Sequence, residues 1–218
     1  MPRAEDLRSA YNNFYVEPLK EDQEIADFYV QRPGSVSPMQ DLLDRIQLAS
    51  RREKYLFLGF RGSGKSTELY RLEAALDKNR FLVVNYSIRD DLNLSDFDFR
   101  DFFVSMALKV YDIARVEGVP LNPDIEEDFQ DFTRRITSIT EKEVTSQSSA
   151  GLSWSQIIIL KLSREAKTRE CLRKELDQKI SDLIQRLNWL IVNIEDKSGK
   201  KLVIIVDDLD KLARGQQS

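Results

Sequence analysis

The stretch GFRGSGKST (Gly59–Thr67) gathers three glycines, a lysine and three hydroxyl side chains within nine residues. Gly59 to Ser66 fits the pattern G-x-x-x-x-G-K-[ST], and each residue type has a chemical reason. Gly62 and Gly64 allow backbone conformations that turn successive amides inward and leave no side chain between backbone and a phosphate. Ser63 lies between them, and a helix starting at Gly64 would add its N-terminal amides and dipole to the same anion site. Lys65 can reach β- and γ-phosphates, the Ser66 hydroxyl can ligate Mg²⁺, and Thr67 is placed to meet an α-phosphate. Arg61 lies inside the loop, where its guanidinium could meet a γ-phosphate or only water.

A second chemical feature is LVIIVDDLD (202–210). Five apolar residues ending in Asp207 and Asp208 describe a buried strand that delivers two carboxylates to the C-terminal edge of a sheet, where open α/β sheets bind ligands. Asp207 would hold Mg²⁺ directly or through water, and Asp208 would be the base or water-positioning group. The alternative is a strand followed by an ordinary acidic turn. The loop upstream favours the chemical reading.

Composition narrows the field. The chain has 218 residues, 41% hydrophobic and 32% charged, with net charge −4, no histidine and a single cysteine, Cys171. Histidine triads and histidine metal ligation are excluded, and no internal disulfide can form. The balance of charge does not indicate nucleic acid. MPRAEDLRSA at the N-terminus has no apolar core of a signal peptide, and no run reaches the ~18 apolar residues of a membrane span. A cytoplasmic protein with no membrane partner is expected.

These groups need elements to hold them. Residues 1–36 read as an N-terminal arm: an irregular stretch with a helical turn, then the turn-forming RPGSVSP. SPMQDLLDRIQLASRR predicts a helix with Ser37 as N-cap and Pro38 at its first position. KYLFLGF (54–60) predicts a buried strand, residues 64–76 the helix after the loop, and FLVVNYSI (81–88) a second strand. Strand, glycine loop, helix and strand form a βαβ unit, for which a parallel sheet is the expectation. The first part of this nucleotide-binding core is placed at 37–94, a helical insert at 95–200, and the acidic strand and tail at 201–218. Within the insert, Ser95 and Asp98 are N-cap candidates for a helix ending near Gly118, and NPDIEEDFQDFTRRITSI is a second helix. Residues 150–162 fit a strand or hairpin arm from the even spacing of Leu152, Trp154, Ile158, Leu160 and Leu162; a helix through IIILKLSREAK fits as well. Residues 168–195 predict one long helix. Its Leu176, Ile180, Leu183, Leu187, Leu190 and Ile194 would form a core-facing seam, or a short intermolecular coiled coil.

GFRGSGKST together with VIIVDDLDK resembles P-loop NTPases of the additional-strand catalytic-glutamate division, and within it the AAA+/STAND/KAP-like regulatory ATPases. Many of these families carry Asp-Glu after the strand; this chain carries Asp-Asp, and the shorter Asp208 reaches less far toward an attacking water. FYVQRPGSVSPMQDLLDRI is similar to the lead-in segment that packs on adenine in AAA+ proteins, which makes Tyr29 and Arg32 base-side candidates. The resemblance implies a three-layer α/β core with a parallel sheet, ATP and Mg²⁺ as cofactors, and hydrolysis with Lys65 and Asp208 as catalytic residues. It also implies a sensor strand, a fifth strand and a helical lid, all beyond Ser218, so a portion of a longer protein is expected, or a sheet completed by oligomerisation or rearrangement. Arg214 in the tail could approach a neighbour's phosphate or remain solvated.

Guanine specificity would need Asp-x-x-Gly and Asn-Lys-x-Asp; DDLD (207–210) lacks the glycine and NIED (193–196) the lysine. A small-molecule kinase would have to carry its acceptor site in the insert. Three functions remain open: a regulatory ATPase core, a nucleotide-gated binding or scaffold module that uses the insert as a protein-partner surface, and a DNA-remodelling ATPase of the initiator type. The last would want a basic helix or a winged-helix domain, and neither is visible in the sequence. Self-association is compatible with all three.

Overall fold

A computed structural model describes residues 6–8, 18–20, 22–30, 38–60, 62–137 and 153–212. Among these residues the fold is mostly helical, with nine α-helices and one two-stranded parallel sheet, and so mixed α/β. Packing divides the chain into two compact units, Met1–Asp77 and Lys78–Ser218.

The first unit holds α1 (Asp22–Phe28), α2 (Pro38–Leu48) and α3 (Lys65–Ala75). Proline at the first position of α2 lacks only an N–H that the helix would leave unpaired anyway; Ser37, the expected cap, lies outside the described residues. α2 packs on α3, and Met39 and Leu72 are buried. The expected strand at 54–60 is not formed: the segment has no regular secondary structure, and Leu56, Leu58 and Phe60 are exposed. An apolar run can favour extended backbone, but only a neighbouring chain segment can supply the ladder of hydrogen bonds that makes it a strand.

The second unit opens with β1 (Phe81–Ser87), a short α4 (Ile88–Asp91) and a 3₁₀ turn at Leu94–Asp96. Next come α5 (Phe99–Val116), α6 (Pro123–Thr137), α7 (Trp154–Arg164), α8 (Ala166–Leu176), α9 (Ile180–Ser198) and β2 (Lys201–Asp207). β1 and β2 pair in parallel from Phe81 opposite Lys201 to Ser87 opposite Asp207. Parallel partners need a long crossover, and every regular element between these two strands is helical among the described residues. α5 packs on β1 and α9 on β2, and the inward residues Leu82 and Val84 join a core built from α5 to α9.

Helix ends follow the sequence closely at α5. Its N-cap is Asp98, whose carboxylate accepts the Arg100 N–H at 2.9 Å, while Ser95 belongs to the preceding 3₁₀ turn. α7 settles the ambiguous stretch as helix. Its signal is a capping box, with the Ser153 Oγ accepting the Gln156 N–H and the Gln156 side chain accepting the Ser153 N–H. Ser-x-x-Gln before an apolar run is a helix start, and the even spacing of apolar residues hid it. Leu152 is outside the described residues.

The single helix expected over 168–195 is two, α8 and α9, separated by a turn at 177–179. Arg100 of α5 stabilises that break: its Nη1 donates to the Arg173 carbonyl at 3.2 Å and pairs with Asp177. That carbonyl also accepts the Asp177 N–H at 3.1 Å, so Arg100 adds a second donor, from a distant element, to the end of α8. The seam residues Leu176, Leu183, Leu187, Leu190 and Ile194 are buried in the core of this unit, so the seam faces inward.

An ion cluster ties α8 to the start of α5. Arg173 Nη2 lies 2.5 Å from Asp101 Oδ2 and donates to the Asp96 carbonyl at 2.7 Å, and Arg173 Nη1 is 2.8 Å from Asp96 Oδ1. Arg169 Nε adds a second contact to Asp96 at 2.8 Å. The two arginines hold the Asp96 carboxyl below its ordinary range. Burial pushes Asp101 the other way, with Arg173 opposing the rise.

Candidate functional site

The glycine loop leads directly into α3, which begins at Lys65. Gly62 and Gly64 have φ of +78° and +86°, and a side-chain carbon built on either would meet nothing within 4 Å. Glycine is needed there for the left-handed backbone, which costs other residues roughly 1–2 kcal/mol, and the face beside these two positions is open. Gly59 is different: a Cβ there would lie 2.7 Å from the Ser63 Oγ. Ser63 N–H closes the turn onto the Phe60 carbonyl at 3.1 Å.

The first bond within α3 runs from Glu68 N–H to the Gly64 carbonyl at 3.0 Å. The amides of Ser66 and Thr67 come before it and have no acceptor one turn back in the helix, which is the arrangement that attracts anions. Lys65 is folded over the loop, donating from Nζ to the carbonyls of Gly59 at 3.1 Å and Phe60 at 3.2 Å. The ammonium is thus already held beside the loop by exposed carbonyl contacts.

Thr67 and Tyr29 belong to a contact that sequence reasoning did not find. The Thr67 Oγ1 accepts the Leu19 N–H at 3.2 Å, and Lys20 Nζ stands 5.2 Å from the Tyr70 ring centre. Tyr29 OH donates to Glu68 Oε1 at 2.7 Å, and the Arg71 guanidinium lies over its ring at 3.8 Å. Burial and the Glu68 carboxylate raise the Tyr29 phenol. Arg71 and Glu68 are themselves paired at 3.0 Å, one turn apart. Tyr29 therefore stands against the first turns of the helix that follows the loop. Only the Glu68–Arg71 spacing was visible in the sequence. Arg32, Arg61 and Arg214 lie outside the described residues.

Asp207 and Asp208 are in the second unit, at the C-terminal end of β2. Asp207 turns its Oδ1 to the Asp208 N–H at 2.7 Å. Asp208 has φ of +66°, the one non-glycine residue in the left-handed region among those described. Its carboxylate points to the end of β1: Ser87 Oγ donates to Oδ2 at 3.1 Å, and Lys211 Nζ lies 2.5 Å from Oδ1. Sequence reasoning assigned no role to Ser87, Arg89 or Lys211. Lys211 was detectable, three residues past Asp208 in a tight turn, whereas Ser87 is brought there only by the strand register.

A recess of about 240 Å³ lies between α2 and residues 55–57, lined by Asp41, Leu42, Arg45, Tyr55, Leu56 and Phe57. Arg45 is already paired with Asp41 at 2.8 Å, and the recess lacks the convergent amides of the loop, so the loop is the better candidate site. No helix of the described residues is long and apolar enough to cross a membrane. Comparison of the chain with protein-family models, with curated proteins and with solved structures finds no match.

Proposed function

We propose that this chain is the Mg-ATP-binding core of a regulatory P-loop ATPase, which in the complete protein hydrolyses ATP to ADP and phosphate. The observation that carries the reading is the loop itself. Two glycines hold left-handed backbone immediately before an eleven-residue helix, with the lysine ammonium gathered over the loop carbonyls. Fit to a polyphosphate is supported by the open space beside Gly62 and Gly64 and by the amides of Ser66 and Thr67. On this reading Lys65 would neutralise charge on the terminal phosphates, Ser66 would be the loop's ligand to Mg²⁺, Asp207 is a carboxylate of the kind that ligates Mg²⁺, and Tyr29 would contribute on the base side. Mg²⁺, when bound, would offset the charge that develops on the phosphate oxygens. The parallel pairing of β1 with β2 is compatible with a three-layer sheet of this class, and the cytoplasm is the compartment we assign to it.

The test is a thermal shift with Mg-ATP on wild type and on Lys65→Ala. Ligand at 100-fold its dissociation constant stabilises the folded state by about 2.7 kcal/mol, so wild type should melt higher and the variant should not. An absent shift, or the same shift in both proteins, would refute nucleotide binding at this loop. Phosphate release that survives both Lys65→Ala and Asp207→Ala would refute the catalytic assignment alone.

One observation favours a second reading, a nucleotide-gated binding module with little turnover. Both carboxylate oxygens of Asp208 are engaged by protein groups. Exposed apolar side chains on α9, namely Ile184, Trp189 and Val192, would suit a protein partner of such a module.

A further inference from the structure

Beyond the phosphate loop, the end of the two-stranded sheet carries an arrangement that nucleotide binding does not require. Ser87 closes β1 and stands in register with Asp207, the last residue of β2. Asp208 follows in left-handed backbone, a conformation that Asp tolerates better than most residues but that still costs energy. The turn swings its carboxylate inward, where the side chain is only 9% exposed. Oδ2 accepts the Ser87 hydroxyl at 3.1 Å and has Arg89 Nε 3.9 Å away; Oδ1 meets Lys211 Nζ at 2.5 Å. Lys211 is itself placed by the 3₁₀ turn Leu209–Lys211, through its N–H to the Asp208 carbonyl at 3.0 Å.

A carboxylate that orients or deprotonates an attacking water must offer that water one of its oxygens. Here each oxygen already meets a donor, an ammonium at one and a hydroxyl at the other, and the 9% exposure of the side chain leaves little room for solvent. We propose that Lys211 is a positioning residue that holds Asp208 in a stored, water-excluded state, and that opening the Lys211–Asp208 pair is the step that admits water to Asp208 and permits turnover. Ser87 fixes the carboxylate's orientation while Lys211 supplies the charge. This inference rests on the ATPase reading, but the pairing it invokes lies wholly within the second unit and can be read without any nucleotide.

The experiment uses the full chain as wild type, Lys211→Met and Lys211→Arg. Carbodiimide labelling of carboxyl groups, mapped by mass spectrometry, compares Asp208 with the exposed Asp210 two residues away. Wild type should label Asp208 more slowly than Asp210, Lys211→Met should bring the two rates together, and Lys211→Arg should keep Asp208 slow. Asp208 labelled as fast as Asp210 in wild type, or unchanged by Lys211→Met, overturns the stored state. Phosphate release should rise in Lys211→Met by about ten-fold, the ratio given by ~1.4 kcal/mol of lost ground-state pairing, with KM for ATP unchanged. Equal or slower release in Lys211→Met overturns the gating role. If labelling changes as expected but neither protein releases phosphate, the coupling to hydrolysis is refuted. The Mg-ATP thermal shift measured on the same samples then reports separately whether the binding reading stands.

Discussion

Removing Arg173 tests how the helical part of the second unit is held. Its guanidinium spans Asp101 Oδ2 at 2.5 Å, Asp96 Oδ1 at 2.8 Å and the Asp96 carbonyl at 2.7 Å, so one side chain joins α8 to the 3₁₀ turn before α5 and to the first turn of α5. Asp101 is 1% exposed. In Arg173→Met the stem volume is largely kept, but that carboxylate loses its cation with no water to replace it. Breaking one side of a buried pair costs about 3–5 kcal/mol. At about 2–4 °C per kcal/mol for a chain of this size, the melting temperature should fall by roughly 6–20 °C. Urea melts of wild type, Arg173→Met, Asp101→Asn and the double variant give the coupling energy directly. The double variant should be less destabilised than the two single costs added together, because it leaves neither charge stranded. The cost of Arg173→Met should also shrink as pH is lowered, since Asp101, raised by burial, binds a proton in the folded state more readily once its cation is gone. A loss below ~1 kcal/mol, as for an exposed pair, or strict additivity, would refute the reasoning.

Two further outcomes follow from neighbouring contacts. Asp96 is held below its ordinary 3.8 by Arg173 and Arg169, so its contribution to stability is present above about pH 4 and is lost as pH falls toward the lowered value. Asp96→Asn should therefore reduce stability at neutral pH and flatten the acid limb of a stability–pH curve; an unchanged slope would rule out this linkage. Ser153 caps α7 and also donates to Asp112 Oδ1 at 3.0 Å. Ser153→Ala should cost about 1–2 kcal/mol in urea melts, and a change within error would mean that the Gln156 and Ser155 contacts to Asp112 suffice alone.

What could be read without coordinates was local. The left-handed backbone at Gly62 and Gly64 was legible because the glycine spacing serves a geometry that the loop makes for itself. Asp98 as one of two cap candidates for α5, the span of α6 and the two strands at 81–87 and 201–207 were legible for the same reason. Each depends on residues within a few positions of one another, through helix caps and apolar periodicity.

Where interactions join distant residues, the sequence underdetermined the outcome. KYLFLGF has the composition of a strand, yet ladder bonds must come from another segment, and residues 54–60 form no strand. Leu176 to Ile194 carry one continuous seam, but Arg100 reaches across from α5 to the Arg173 carbonyl and to Asp177, and the helix divides there. Sequence alone determined that the chain carries a glycine loop leading into a helix and an acidic strand end, because both are written in contiguous residue types. Only the tertiary structure decided what the second acid does: the strand register brings Ser87 to Asp208, a left-handed turn aims the carboxylate at Lys211, and a group that reads as free to act is found paired.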